Sequence, residues 1–243
     1  IVSILTSPVQ PWDALICTSN AVKNNVEKVL QAQLNYLQDR LGITKFVMPK
    51  LPVIPLGIHT EDFAFSKDQK NEFRQNLGIS NQTIVVLYMG RLSFHAKANP
   101  LAMYQALEKA VKSTNKEVVL IECGWHANSN IEKIYKETAL KFCPSLRVIR
   151  LDGRKEEDRK KAWASADIFC SLSDNIQETF GIVPIEAMAA KLPVVVSDWD
   201  GYKDTVRDGL DGFRIPTLMP GSGKGIDLII RYSLNIDNYD MYI

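Results

Sequence analysis

Two cations and two carboxylates stand out by their position relative to short apolar runs. Gly90-Arg91-Leu92-Ser93-Phe94-His95-Ala96-Lys97 follows the apolar run Ile84–Met89. A glycine at that point lets the backbone turn out of a strand, which leaves Arg91 and Lys97 in a strand-to-helix loop. A guanidinium can fork onto two oxygens and an ammonium adds a compact charge, so the pair suits a phosphate or diphosphate. The alternative is two solvated surface charges. The second cluster is Glu178-Thr179-Phe180-Gly181-Ile182-Val183-Pro184-Ile185-Glu186. It follows another apolar run and opens a predicted helix, whose first-turn amides lack intrahelical partners and favour an anion. Gly181 permits close approach of backbone to a ligand, and Pro184 fits an early turn where its missing N–H costs little. Carboxylates are poor phosphate ligands but good acceptors for hydroxyl hydrogens. Glu178 and Glu186 beside an anion site therefore suit a ligand with an anionic middle and hydroxyl-rich ends, the shape of a nucleotide-sugar. Either could instead be a favourable helix-start charge, which is worth about 0.3–1 kcal/mol.

These residues need a scaffold that brings distant loops together. Predicted strands Ile84–Met89, Val118–Cys123, Leu146–Leu151, Ile168–Leu172, Val194–Ser197 and Gly212–Ile215 alternate with predicted helices Pro100–Ser113, Ile131–Phe142, Glu157–Ser165 and Gly181–Ala190. That rhythm implies an α/β fold, a Rossmann-like parallel sheet with helices on both faces. Several strands are apolar throughout, as expected when both faces are covered. Ligands in such sheets bind beyond the carboxyl ends of the strands, where both clusters fall. Before about Pro52 the rhythm is not clean. Ile1–Leu5 reads as the tail of a strand, Ala14–Cys17 as a strand, and Val53–Gly57 as a Pro-broken strand. A helix capped by Ser19 or Asn20 puts Val22, Val26, Val29, Leu30, Leu34, Leu37 and Leu41 on one face and stops at Gly42. A domain junction is expected near Leu56–Phe65. With Ile1 in first place and Leu228–Ile243 ending without a closed element, the chain reads as a fragment.

Composition narrows the classes. The chain has 243 residues with 46% hydrophobic and 23% charged, an ordinary globular balance that excludes disorder, collagen and a disulfide scaffold. A formal net charge of +1 disfavours general nucleic-acid binding. No apolar run approaches the ~20 residues needed to cross a bilayer, and no secretory pattern is seen. Cys17, Cys123, Cys143 and Cys170 form no C-x-x-C pair, so buried reduced thiols in a cytosolic protein are expected rather than a metal cluster. His59, His95 and His126 fit no Cys–His signature; His95 reads as polar surface, with an acid–base role as the alternative. The charge run Arg154–Lys161 reads as a solvated helix face that could border a base pocket. Gly221-Ser222-Gly223-Lys224-Gly225 imitates a phosphate loop but lacks the following Ser/Thr, and reads as a flexible loop.

Arg91 with Lys97, Glu178-x7-Glu186 around Phe180-Gly181, and then Lys191-Leu192-Pro193-Val194-Val195-Val196-Ser197 with Gly201 together resemble the retaining glycosyltransferases of family 4. The resemblance covers roughly Pro52–Pro216. It implies the GT-B architecture of two Rossmann-like domains facing across a cleft. Residues 1–56 are then the end of the acceptor-side N-terminal domain, and 57–243 the donor-binding domain, truncated at its C-terminus. It further implies that Arg91 and Lys97 neutralise the donor diphosphate and that Glu178 holds a sugar hydroxyl near the reacting carbon. Phe180, Gly181 and Ile182 would offer amides, Glu186 would bind ribose hydroxyls, and the turn at Arg154–Lys155 would meet the base. Glu178, Arg91 and Lys97 are the expected catalytic residues. No cofactor or metal is expected, because in such enzymes protein cations and a helix dipole stabilise the diphosphate. Partners would be a nucleotide-sugar donor and an unknown hydroxyl acceptor, with no nucleic acid. The location would be cytoplasmic, with peripheral membrane association by analogy. Three departures stand out: the Arg91-to-Lys97 spacing is one residue longer than the common form, and Lys191 and Asp200 occupy positions where glycine is usual. The isolated piece is expected to transfer poorly or not at all. The alternatives are a nucleotide-sugar binding module without transfer, and a sugar-nucleotide epimerase of the same layout.

Overall fold

The structure, a computed structural model, describes residues 1–94, 96–175 and 178–218; His95, the Gly221–Gly225 stretch and Leu228–Ile243 lie outside the described residues. The chain divides into two compact units after Gly57.

In the first unit, helix α1 (Asn20–Leu41) forms as its caps dictate. The Ser19 hydroxyl accepts from the Val22 N–H at 3.1 Å, and Gly42 ends the helix in the left-handed region at φ +66°. Val26, Leu30, Leu34 and Leu37 are buried, but Val29 and Leu41 are exposed. Val29 lies at the edge of the apolar stripe and Leu41 in the terminal turn, so the covered face is narrower than the spacing implies. Cys17, Val26 and Leu30 pack with Leu5, Leu15, Met48 and Val53. The expected strands here reduce to single parallel bridges, Ala14 to Lys50 and Cys17 to Val53. Pro52 and Pro55 have no N–H with which to extend a ladder. Ile1–Leu5, expected as a strand tail, instead falls largely in a 3₁₀ helix, Val2–Thr6. The Thr6 and Ser7 hydroxyls both donate to the Ser3 carbonyl, at 3.0 and 2.9 Å, and such local bonds compete with extended pairing.

The second unit carries one six-stranded parallel sheet. Its strands are β1 (Ile84–Met89), β2 (Val118–Gly124), β3 (Arg147–Asp152), β4 (Ile168–Ser171), β5 (Val194–Ser197) and β6 (Gly212–Ile215). Their spatial order is β3-β2-β1-β4-β5-β6. Successive side chains of a strand point to opposite faces, and here both faces are covered. Val85, Leu87, Met89, Val119 and Ile121 pack on one side with Trp163, Phe169 and Ala187. Those partners come from β4 and from helices α5 (Glu156–Ser165) and α6 (Ile182–Ala189). Val86, Tyr88, Val118 and Leu120 pack on the other side with Met103, Tyr104, Ile131 and Tyr135, from α3 (Leu101–Thr114) and α4 (Ser129–Phe142). Fully burying such side chains contributes about 1.5–3 kcal/mol each, which is why the all-apolar strands sit at the centre.

One helix has no counterpart in the hydrophobic pattern, α2 (Lys67–Asn76). It is almost wholly polar, so periodicity gives no signal. A capping box starts it: the Ser66 hydroxyl accepts from the Gln69 N–H while the Gln69 side chain accepts from the Ser66 N–H. Its anchor is a buried cation. Arg74 donates to the Ser165 and Thr83 carbonyls at 3.0 and 3.1 Å and pairs with Asp167 at 2.5 Å. That cluster ties α2 to the starts of β1 and β4 without apolar burial.

Candidate functional site

The order of strands fixes where the site lies. β1 pairs with β2 on one side and β4 on the other, so the connections leaving β1 and β4 depart in opposite directions. Such a switch point leaves a crevice outside the carboxyl ends of the two strands. The loop after β1 carries Arg91 and Lys97, and the loop after β4 carries Glu178 to Gly181.

The first loop continues the ladder before it turns. Gly90 N–H donates to the Cys123 carbonyl and Leu92 N–H to the Trp125 carbonyl, both at 3.0 Å. A side chain on Gly124 would meet the Gly90 carbonyl oxygen at 1.9 Å, so only glycine admits this approach. A turn anchored on Ser93, whose carbonyl accepts from Lys97 N–H at 3.1 Å, swings the chain back. The Lys97 ammonium then forms a close ion pair with Glu178 Oε2. The longer spacing from Arg91 therefore does not carry Lys97 away from the crevice. The backbones are laced as well: Ser173 Oγ donates to the Lys97 carbonyl at 2.7 Å, and Ser197 Oγ donates to the Ser173 carbonyl. Glu178 itself is held from two sides. Its N–H donates to the Asn175 carbonyl and its carbonyl accepts from Gly201 N–H, both at 3.0 Å.

Gly181 caps α6 at φ +79° with no side-chain cap, so the first-turn amides are open to an anion. A Cβ there would meet the Tyr202 ring at 2.2 Å. Phe180 is buried, Ile182 half-buried, and Glu186 half-buried one turn further along α6. Glu186 lines an open hollow of about 370 Å³ with Met89, Arg159, Trp163, Phe63 and Phe65. Burial raises the Glu186 carboxyl pKa and Arg159 partly opposes this. The two glutamates thus occupy separate places, Glu178 at the Lys97 contact and Glu186 in the hollow.

Arg91 stands at the same end of the sheet but outside the ion-pair network. Its side chain is exposed and makes no ion pair among the described residues, while its carbonyl accepts from the Tyr88 hydroxyl at 3.0 Å. Burial raises the Tyr88 pKa, the Glu178 charge adds to this, and the Arg91 charge opposes it, so that hydroxyl feels both residues. Arg154 and Lys155 are not brought to the Glu186 hollow. Arg154 forks onto Asp152, with Nε and Nη2 both at 2.9 Å, and holds that carboxyl down at about 2. It lines a second hollow of about 400 Å³ with Trp125, His126 and Asn128. Lys155 is the exposed residue that precedes α5. The cation beside Glu186 is Arg159, from the run read as a solvated face. Its signal was its position four residues before the buried Trp163, which puts both on one side of α5.

Sequence reasoning also missed Tyr202. Its hydroxyl lies 3.3 Å from Glu178 Oε2 and 2.9 Å from Ser171 Oγ. No periodicity marks it, since it opens the four-residue helix α7 (Tyr202–Thr205). Lys191 and Asp200, where glycine was expected, both adopt the left-handed region, at φ +61° and +39°. Glycine adopts it without the Cβ strain other residues incur, which accounts for the preference. The four cysteines are buried, and burial pushes the Cys123 and Cys170 thiols up to about 12, so neither is a ready nucleophile.

An open parallel sheet covered by helices, with its crevice at the switch point between β1 and β4, defines a Rossmann-like α/β fold. The chain belongs to the glycosyl transferases group 1 family, whose model matches residues 69–220. It is 27% identical over 202 residues to an uncharacterized glycosyltransferase of Methanocaldococcus jannaschii, covering 79% of this chain and 50% of that protein. It is 30% identical over 168 residues to the phosphatidyl-myo-inositol mannosyltransferase of Mycobacterium tuberculosis, covering 69% of this chain and 40% of that one. Among solved structures, Anabaena HepE in complex with UDP-glucose superposes with a TM-score of 0.61 at 21% identity, over 92% of this chain and 54% of that one. The fold is therefore the Rossmann-like sheet of the GT-B glycosyltransferases. The chain spans about half the length of the curated relatives it matches. No helix of the described residues is long and apolar enough to cross a membrane.

Proposed function

We propose that the protein is a retaining glycosyltransferase of the family 4 kind, moving a sugar from a nucleotide-diphosphate donor to a hydroxyl acceptor, and that this chain carries its donor side. In this reading residues from 57 onward bind the donor and residues 1–56 end the acceptor-side domain. The observation that carries it is the Lys97–Glu178 contact at the switch point, beside the uncapped start of α6. Lys97 and the exposed Arg91 neutralise the diphosphate, joined by amides of Phe180, Gly181 and Ile182. Glu178 accepts from a sugar hydroxyl near the reacting carbon, and Glu186 accepts from ribose hydroxyls in its hollow. The loop at Arg154–Lys155, outside that hollow but leading directly into Glu156 on its lining, borders the base. Charge grows on the departing phosphate as the glycosidic bond breaks. Preorganised cations and amides stabilise that charge more than they stabilise the intact donor, which is the source of rate. Two side-chain cations and a helix start supply this without a metal. The relative named phosphatidyl-myo-inositol mannosyltransferase supports a lipid-linked hydroxyl acceptor and peripheral membrane association of the whole protein.

Calorimetric titration of the chain with UDP-, GDP- and ADP-sugars tests the reading and identifies the base. Arg91→Ala is expected to weaken nucleoside-diphosphate binding about tenfold or more while leaving nucleoside binding nearly unchanged. Equal losses for both ligands would remove Arg91 from the diphosphate site.

A further inference from the structure

We propose that Tyr202 is a positioning residue for Glu178, holding its carboxylate in the crevice when Lys97 turns to the donor diphosphate. The inference rests on the donor reading above and assigns a role that reading leaves open. In the structure Lys97 and Tyr202 converge on the same atom, Glu178 Oε2. Among the described residues no hydrogen bond reaches Oε1, the oxygen left for a ligand hydroxyl. A diphosphate brings more charge than one carboxylate, so donor binding draws the Lys97 ammonium away from Glu178 toward the phosphates. Once Lys97 moves, Glu178 needs another donor at Oε2, or a buried carboxylate is left unpaired at a cost that would swing it out.

Tyr202 is built to be that donor. It is 1% exposed, so its hydroxyl does not exchange partners with solvent. A carboxylate only accepts, so the phenol donates to Glu178 and Ser171 Oγ, itself buried, donates to the phenol. Burial and the Glu178 charge both raise the Tyr202 pKa, which keeps the proton on the phenol at neutral pH. The ring is fixed by Gly181, whose missing side chain leaves the space it fills. The residue that opens the anion-binding helix start is thus also the residue that admits the tyrosine.

The test compares UDP-glucose, GDP-mannose and ADP-glucose with UDP, GDP and ADP by calorimetry, so that the affinity added by the sugar is read separately from that of the nucleotide. Tyr202→Phe keeps the ring and removes the hydroxyl. It is expected to reduce the sugar's contribution about five- to tenfold, with nucleoside-diphosphate affinity within about twofold. Ser171→Ala, which removes only the donor behind the phenol, should give a smaller loss of the same kind. An unchanged sugar contribution in Tyr202→Phe, or an equal loss with and without the sugar, overturns the positioning role. Glu178→Gln separates the two levels. If it leaves the sugar contribution intact, or if the unsubstituted chain gains nothing from any of the three sugars, the donor reading itself fails and the role of Tyr202 falls with it.

Discussion

Two buried carboxylates in this molecule have the same kinds of partner and opposite situations. Glu122, on β2, accepts from the Tyr104 hydroxyl and pairs with Arg150 of β3 at 2.9 Å. Glu178, after β4, accepts from the Tyr202 hydroxyl and pairs with Lys97. Glu122 is fully buried; its Oε1 accepts from Tyr104, and its Oε2 faces the Arg150 guanidinium as an ion pair without a well-aligned hydrogen bond. Glu178 keeps 7% exposure, and both its contacts fall on one oxygen. The difference is one of backbone placement. A residue inside a central strand is sealed by the elements on either side. A residue on a loop beyond the strand ends has protein behind it and an opening in front. A buried acid with a tyrosine and a cation is therefore not a site by composition; its place relative to the switch point decides.

The sharpest way to break that contrast is to remove one cation from each. Arg150→Ala leaves a buried carboxylate without its counter-charge, with an expected cost of about 3 kcal/mol in denaturant unfolding, because desolvation is no longer offset. Lys97→Ala, at a partly exposed pair, should cost about 1 kcal/mol or less, yet weaken nucleoside-diphosphate binding about tenfold. Similar stability losses for the two variants would erase the distinction. Next in size is Gly181→Ala. It forces a Cβ into the Tyr202 ring at a positive φ, and an expected loss of about 2 kcal/mol should accompany weaker donor binding. Among the described residues, no glycine makes room for Tyr104, Glu122 or Arg150 in this way.

The smallest effect concerns Asp200, whose carboxyl is pushed up to about 6 by burial and by the Glu178 charge, with Lys203 opposing. A folded-state value above the unfolded one means that the native state holds the proton more tightly. Its contribution to stability is complete at about pH 4 and is lost as pH rises through about 6. Asp200→Asn should therefore be neutral near pH 4 and stabilising at pH 7. Solvent screening of this half-buried group keeps the gain to about 1 kcal/mol. Thermal melts at the two pH values check the sign; a gain confined to acid pH would refute the assignment.

Much of the scaffold was legible. β1 and β5 fall on the residues their apolar runs marked, because a strand covered on both faces has to be apolar along its length; the edge strand β6 also falls on the expected Gly212–Ile215, although it is half exposed and carries Arg214. Helix α2 was not legible, because a polar helix anchored through one buried arginine leaves no periodic trace. The strands expected before Pro52 failed for another reason: a short apolar run forms a ladder only if a partner offers matching N–H and C=O groups, and prolines remove them.

The same division runs through the site. The sequence by itself determined the chemistry on offer and its place at strand ends: Arg91, Lys97, Glu178, Gly181 and Glu186 follow from residue type and spacing. Only the tertiary structure decided that Lys97 meets Glu178, that Arg159 rather than Arg154 stands beside Glu186, and that Tyr202 backs the carboxylate. Spacing along one element is a local property, set by the repeat of a helix or strand. Contact between loops that are 81 residues apart, as Lys97 and Glu178 are, depends on strand order, and strand order is a property of the whole sheet.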